Sequence, residues 1–218
     1  MKYYVYISDA KVDMLLAQIP HDAKQRFATE FKFDLKLLSA SRKTETEAED
    51  NRYTRLDAVV TFIREYGNLG TVDEPNEYVE GSLDMRWGPY GEDDEKGSLI
   101  YFGGVTERTI VGLGGSMKHV IGNSGQTNAH SHSYTPMLVM SLERDLKADE
   151  RRQESPRPDG EIDGTGIRAL QAVELATTEI EGPTQPLEFM AKRLLYGRGY
   201  SKKRKVFLGT PLYVALLE

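Results

Sequence analysis

Two glycine-rich apolar runs decide the fold of this chain: Tyr101-Phe102-Gly103-Gly104 and Thr109-Ile110-Val111-Gly112-Leu113-Gly114-Gly115-Ser116. They lie within residues 81–125, which hold 11 of the 20 glycines of the 218-residue chain. Their β-branched and aromatic residues favour strands, and their spacing is typical of a hairpin. Glycine inside a strand weakens it, so its repeated use indicates bulges, close backbone approach or a bound group. This stretch is therefore the best site candidate in the chain.

The spacing of apolar residues along the rest of the chain predicts an α+β fold. Strands are predicted at residues 2–7, 31–37, 78–87, 98–102, 108–113 and 206–217. Helices are predicted at residues 9–19, 22–30, 53–63, 135–146, 167–180 and 186–196. The strands cluster instead of alternating strictly with helices. We therefore expect a mixed or antiparallel sheet of about six strands with flanking helices.

The chain is predicted to be a single domain over residues 1–218, with a flexible charged loop rich in Pro and Gly at about 147–166. An apolar run from 206 to 217 is expected to return to the main sheet. Gly209 and Pro211 interrupt this run, which indicates a bulge or an edge position.

Composition restricts the class of protein. The net charge of −6 argues against a general nucleic-acid coat, because neutralising phosphates requires a basic field. The lack of cysteine excludes disulfides, thiol catalysis and Cys-based metal sites. We see no secretory leader and no apolar run of the roughly 18 residues that span a bilayer, so we expect a cytoplasmic protein without membrane partners. The basic run 198–205 is interpreted as solvated surface.

The first candidate site follows the second glycine-rich run. Gly112, Gly114 and Gly115 expose backbone N–H groups just before a possible short helix, an arrangement that favours phosphate or carboxylate. The donors Ser116, Lys118 and His119 come next. The alternative is a tight turn in which the glycines are needed only for the backbone geometry of the turn.

A second candidate lies at the end of the preceding strand. Arg86 has the chemistry to hold a phosphate, and Trp87 or Tyr90 to stack on a base. The alternative is that Trp87 anchors the core and Arg86 pairs with the acidic residues 92–95.

The third candidate is a set of histidines. His130 and His132 form an H-x-H pair that can hold a metal if a third ligand such as His119 converges. The alternative is a polar loop that contains two histidines. No cofactor can be named from the sequence.

Several segments resemble those of an uncharacterised bacterial family of about this length. They are the opening Tyr3-Tyr4-Val5-Tyr6-Ile7-Ser8-Asp9-Ala10-Lys11-Val12-Asp13-Met14-Leu15, then Met85-Arg86-Trp87-Gly88-Pro89-Tyr90, Tyr101-Phe102-Gly103-Gly104, and Gly112-Leu113-Gly114-Gly115-Ser116 with His119 and Gly122. The closing Leu208-Gly209-Thr210-Pro211-Leu212-Tyr213-Val214-Ala215 also matches. The resemblance implies one unit over the whole chain and a sensor or accessory role in bacterial conflict or signalling systems. It implies no catalytic or binding residue.

These observations lead to one favoured function and two alternatives. The favoured function is a sensor or accessory module that binds a phosphorylated small molecule or nucleotide through the Gly-rich segment. One alternative is a protein–protein interaction subunit without a ligand of its own, which docks a partner through its apolar last strand or first helix. The other is a metal-dependent phosphoesterase or nuclease that uses the histidines. Whether the protein is an enzyme stays open.

Overall fold

A computed structural model describes residues 2–30, 45–90, 99–122, 142, 164–201 and 203–217. The strands are β1 (Tyr3–Ile7), β2 (Leu69–Gly70), β3 (Tyr78–Tyr90), β4 (Leu99–Val105), β5 (Thr109–Ser116), β6 (Gln185–Arg198) and β7 (Lys205–Leu216). The helices are α1 (Asp9–Gln18), α2 (His21–Glu30), α3 (Glu45–Tyr66) and α4 (Gly164–Glu179), with a 3₁₀ turn at Met117–His119.

Five of the strands close into a barrel. Strand β3 pairs antiparallel with β4, β4 with β5, β6 with β7, and β6 with β3. The ring is completed by a parallel pairing of β5 with β7. Numbered within the barrel, the strands follow one another in the order 1-2-3-5-4, with α4 between the third and fourth, which is the topology of OB-type barrels.

The barrel interior is filled by apolar side chains from all five strands. These buried residues include Val79, Met85, Phe102, Leu113, Phe189 and Phe207. Successive residues of a strand point to opposite faces, so the residues of this core alternate with outward-facing residues along most of each strand. Val72, from the loop before β3, joins the same cluster.

Helices cover the outside of the barrel in two places. Helices α1, α2 and α3 pack over one apolar cluster with the outer face of β7. Helix α4 packs over β4, β5 and β7 through a second cluster that includes Tyr101 and Val173. Because helices cover part of the outer face, the strands beneath them are apolar on both faces.

Strands β1 and β5 lie end to end along the same edge of β7. The end of β5 pairs at Gly209, and the end of β1 pairs at Tyr213. Both strands therefore finish beside residues 210–212 of β7. The Ser8 amide donates to the Leu212 carbonyl at 2.8 Å and continues the β1 pairing beyond the last strand residue.

The predicted α+β class and the mixed sheet are confirmed, but the sheet has seven strands within the described residues, where about six were predicted. The helix predicted at 186–196 is wrong, since this segment forms most of β6 and pairs along both edges. Pro211 does lie beside a register shift, yet in a central strand and not at an edge. Helix α4 begins at Gly164, inside the predicted loop.

Several predictions fall outside the described residues. These are the strand at 31–37, the helix at 135–146 apart from Leu142, and the loop from 147 to 163. The single-domain prediction stays a prediction. None of the helices in the described part of the chain combines the length and apolar character needed to cross a membrane.

Candidate functional site

The glycine-rich strand β5 is buried along its whole length. A side chain at Gly112 would overlap the Tyr101 hydroxyl, and one at Gly115 would overlap the Tyr6 hydroxyl. The Tyr101 hydroxyl is itself fixed by a hydrogen bond with Thr177 Oγ1 at 2.8 Å. The space beside both glycines is therefore occupied by tyrosine, and close approach of a neighbour accounts for glycine at these positions. Their ligand-binding role stays a prediction that no contact supports.

The residues that follow the glycines in sequence separate in space. The Gly114 carbonyl accepts a hydrogen bond from buried Thr210 Oγ1 at 3.1 Å. Ser116 Oγ accepts from the Lys118 backbone amide at 3.4 Å, which caps the 3₁₀ turn. Lys118 is exposed, whereas His119 is turned inward and only 7% exposed. The predicted donors Ser116, Lys118 and His119 thus do not face one common point.

The sheet does bring the three β3 residues near the glycine-rich strands. Arg86 is opposite Gly103 of β4, which is opposite Gly112 of β5, so roughly 10 Å separates the outer two backbones. Arg86 is exposed on one face of the sheet. Trp87 and Tyr90 of the same strand are partly buried.

The two predicted stacking residues pack within the protein. Trp87 stacks on Phe102 with ring centroids 5.7 Å apart, and its Nε1 donates to Gln185 Oε1 at 2.7 Å. Tyr90 lies against Tyr101 at 5.2 Å. A role of either ring in binding a base therefore stays a prediction, and the packing interpretation accounts for both contacts.

A partly buried polar cluster, here called the strand-end cluster, lies where β1 and β5 finish. Its members are Tyr6, Ser8, Asp9, Lys11, Arg52 and His119. Ser8 occupies the N-cap position of α1, but its side chain makes no capping hydrogen bond.

Arg52 of α3 binds Asp9 in a bidentate arrangement, with Nε at 2.8 Å and Nη2 at 3.0 Å from the two carboxylate oxygens. Its Nη2 also donates to the Ile7 carbonyl at 3.1 Å. His119 Nδ1 lies 3.7 Å from Asp9 Oδ2, which is within ion-pair range but longer than a hydrogen bond. Burial acts to raise the pKa of Asp9, but His119 and Arg52 outweigh it and hold this pKa below its usual range.

Lys11 completes the strand-end cluster. Its ammonium donates to the Pro211 carbonyl at 3.2 Å and to Ser8 Oγ at 3.4 Å. Burial lowers the pKa of Lys11 to about 8. Burial also raises the pKa of the Tyr6 phenol, so Tyr6 stays neutral. The cluster fastens α1 and α3 to the sheet, with Ser8 buried and Asp9 and Arg52 partly exposed.

An open groove lies at the other end of the barrel, between hairpin β6–β7 and the loop that precedes β3. We call it the basic groove. It has a volume of about 560 Å³. Arg193, Tyr196 and Lys205 line its hairpin wall, and residues 69–76 line the opposite wall. Its size is within the range of small-molecule sites.

Hydrogen bonds hold both walls of the basic groove in place. Arg193 Nη1 donates to the Pro75 carbonyl at 2.8 Å, and the Tyr196 hydroxyl donates to the Asp73 carbonyl at 3.0 Å. The Asp73 carboxylate accepts from the hydroxyls of Thr106 and Thr109 at 2.9 and 2.8 Å. The loop is therefore tied to hairpins β4–β5 and β6–β7, and the groove is formed before any ligand arrives.

Charges of both signs line the basic groove: Arg193 and Lys205 lie on the hairpin wall, and Asp73 and Glu74 lie on the loop wall. Lys205 Nζ lies 5.0 Å from the centre of the Tyr196 ring, within the range of a cation–π contact. Burial acts to raise the pKa of Asp73, but its hydrogen bonds from Thr109 and Thr106 and the nearby Arg108 keep this pKa low. That carboxylate is thus already bound. Glu74 is the exposed acidic residue of the lining.

The sequence analysis missed this groove for identifiable reasons. Arg193 and Tyr196 were placed in a helix, where they would not share a wall with Lys205. Lys205 ended the basic run that was interpreted as solvated surface. An alternation of Leu187, Phe189 and Ala191, all buried, was the available signal for a strand.

Nothing in the described ranges supports the metal alternative. Within them, no three His, Asp or Glu side chains are grouped as metal ligands. His119 faces Asp9, while His130 and His132 lie outside the described residues. The histidine site therefore stays an untested prediction.

The fold and the groove define the class: an α+β protein whose five-stranded barrel carries a preformed basic groove at one end. The chain belongs to a family of unknown function (DUF7019), whose model matches residues 2–218. Comparison with curated proteins and with solved structures finds no match. Membership of an uncharacterised family is thereby confirmed, while the link of its motifs to conflict systems stays a prediction.

Proposed function

We propose that this protein is a binding module for a phosphorylated small molecule with an aromatic group, such as a nucleotide, and that the ligand lies in the basic groove. One observation carries the proposal: two cations, Arg193 and Lys205, flank the partly buried ring of Tyr196 in one wall of a formed groove. This location replaces the Gly-rich strand as the centre of the binding hypothesis.

The chemistry of each group supports an anionic aromatic ligand. A guanidinium has five N–H donors, and the bond from Arg193 to Pro75 uses one of them while fixing its orientation. Lys205 adds a mobile point charge. The Tyr196 ring is oriented by its hydroxyl and packs beside the barrel core with the Lys205 ammonium over it, so a base that stacks on this ring takes the place of Lys205. Preorganisation of this kind reduces the entropy lost on binding.

The direct test is titration of purified protein with AMP, ATP and inorganic phosphate, followed by calorimetry and by the shift in melting temperature. A ligand that binds only the folded state raises the melting temperature. We expect AMP or ATP to bind, and Lys205→Met to weaken that binding by about ten-fold, equivalent to about 1.4 kcal/mol.

Lys192→Met is the matched control. Lys192 is on the same strand, next to Arg193, but its ammonium lies over the Tyr78 ring and pairs with Glu77 outside the groove lining. Equal losses in both variants would assign the effect to net charge and not to the groove. If none of the three compounds binds at millimolar concentration, the proposal is overturned.

A sensor or accessory role in bacterial conflict or signalling is the wider setting that we propose for this binding. The interaction-subunit alternative loses one of its supports, because β7 is buried and paired on both edges, which accounts for its apolar sequence.

A further inference from the structure

Positive charge continues from the basic groove to the tip of hairpin β6–β7. Residues 189–217 contain seven Lys or Arg and no Asp or Glu, although the whole chain carries a net charge of −6. The exposed cations of this hairpin include Arg193, Arg198, Lys203, Arg204 and Lys205. Arg198 and Lys205 are direct cross-strand partners, so their side chains leave the same face. Although the net charge of the whole chain is negative, hairpin β6–β7 is therefore strongly basic.

A glutamate side chain of α4 binds the backbone at the tip of this hairpin, and we call this contact the latch. The Glu174 carboxylate accepts the backbone amide of Tyr200 at 2.6 Å and that of Ser201 at 3.1 Å. A side chain at Gly199 would overlap this carboxylate, so glycine is required there for the latch to close. Glu174 is consequently held by backbone amides, and its negative charge offsets part of the positive charge at the tip.

Ser201 extends the same order to the basic residues. Its Oγ accepts the backbone amides of Lys203 and Arg204, each at 3.3 Å. Tyr200 at the tip is 54% exposed. A tyrosine ring and several cations are therefore presented together on a fixed turn.

The acidic residues around this surface do not cancel its charge. Asp73 is bound by Arg108 and two threonine hydroxyls, and Glu77 pairs with Lys192. Glu107 and Glu74 are exposed at the margin. The Arg204 Nε donates to the carbonyl of Glu107, at 3.4 Å, and not to its carboxylate.

From these observations we infer that hairpin β6–β7 binds single-stranded nucleic acid. Phosphates contact the cations that run from Arg193 in the groove to Lys203 and Arg204 at the tip, and unpaired bases stack on Tyr200 and Tyr196. Aromatic rings interleaved with cations suit a single strand, because a duplex hides the faces of its bases. In OB-type barrels the loop between the fourth and fifth strands contacts oligonucleotides, and residues 199–204 are that loop here. The fold alone does not determine a ligand, so the charge and the latch carry the argument.

This inference rests on the proposed function, because it names the nucleotide in the groove as part of a strand. The test measures fluorescence anisotropy of a fluorescein-labelled twelve-residue oligouridine at 50 and 200 mM NaCl. AMP and a duplex of equal length serve as competitors. We expect the oligouridine to bind at least about ten-fold more tightly than AMP, with an affinity that falls steeply with salt.

Variants at the tip provide the second readout. Lys203→Gln with Arg204→Gln should lower the salt slope of log K by about 1.4, since each phosphate contact on a single strand contributes about 0.7. Tyr200→Ala should weaken binding by about ten-fold with the salt slope unchanged, because it removes stacking and no charge. Lys192→Gln, which removes a charge outside the groove, should leave affinity within about two-fold.

The outcomes separate the two proposals. If oligouridine binds no better than AMP while AMP binding still depends on Lys205, this inference is overturned and the proposed function stands. Tighter binding of the duplex, or an unchanged salt slope in the tip variant, also overturns the inference. If neither oligouridine nor AMP binds, both proposals fall.

Discussion

Hairpins β4–β5 and β6–β7 belong to one barrel and contrast in almost every other respect. The first is glycine-rich and buried, and the space beside Gly112 and Gly115 is taken by Tyr101 and Tyr6. The second leaves the packed barrel at its tip, carries clustered cations and exposes Tyr200. Glycine density inside a sheet thus indicates which neighbours approach closely. The binding that we propose is located where side chains leave the packed barrel.

The largest expected effect comes from filling a glycine of the buried hairpin. Gly112→Val should destabilise the protein by about 3 kcal/mol, because the new side chain overlaps the Tyr101 hydroxyl and Val173. Urea denaturation measures this loss. Gly88→Val is the matched control, since no atom lies within 4 Å of a side-chain carbon added at Gly88, and it should stay within about 0.5 kcal/mol. Equal losses would contradict the packing role of Gly112.

The second effect concerns Lys11, beside the carboxyl end of the buried hairpin. Burial lowers the pKa of Lys11 to about 8, so between pH 8 and 10 the unfolded state binds more protons and stability rises with pH. The rise attributable to Lys11 is about 2 kcal/mol over this range. Denaturation of the wild type and of Lys11→Met at several pH values should show it only in the wild type.

The measurements on Lys11 must stop near pH 10. Burial raises the pKa of Tyr6 and Tyr101, so these groups keep their protons in the folded state while the unfolded state loses them. Their contribution to stability is present at lower pH and is lost as the pH rises above 10. If the free energy of unfolding changes with pH equally in Lys11→Met and in the wild type below pH 10, burial does not lower the pKa of Lys11.

A smaller effect should follow from removing one hydroxyl. Tyr101→Phe loses the bonds to Thr177 Oγ1 and the Val173 carbonyl and should cost about 1 kcal/mol. The same change should also relieve the overlap created by Gly112→Ala. In a double-mutant cycle we therefore expect the two substitutions together to cost less than the sum of each alone. If the losses of the two single variants simply add, the Tyr101 hydroxyl does not limit the space beside Gly112.

The smallest effect on stability is expected at the exposed hairpin. Glu174→Ala should lower the free energy of unfolding by only about 0.5 kcal/mol, because the latch is partly solvated. Hydrogen exchange at the Tyr200 and Ser201 amides should nevertheless become faster, since both amides lose their acceptor. Glu179→Ala, an exposed change at the end of the same helix, should leave both amides protected.

Sequence periodicity was sufficient for most strands and failed at β6 for a physical reason. The segment 186–196 is rich in Leu, Met, Ala, Lys and Arg, all of which favour helix locally. Its backbone instead pairs with β3 on one edge and β7 on the other. Long-range pairing of this kind overrides local propensity, and no local pattern reports which distant strands are available.

The candidate site shows the same limit. His119 was recognised as a polar residue after a strand, but its neighbour Asp9 is more than a hundred residues earlier and Arg52 lies in a different helix. The residues of the basic groove likewise come from segments that are distant in the sequence. Composition did identify the basic run, and the structure adds that Ser201 Oγ accepts the backbone amides of Lys203 and Arg204.

The end-to-end meeting of β1 and β5 along β7 has a consequence for folding kinetics. Tyr3 pairs with Leu216, and β7 contacts β1, β5 and β6 at once. No segment of the chain can close the barrel by itself, because every closure joins residues that are far apart in sequence. Domains dominated by such contacts fold in milliseconds to seconds, far more slowly than helical bundles. We therefore expect slow refolding in which the pairing partners of β7 gain hydrogen-exchange protection together.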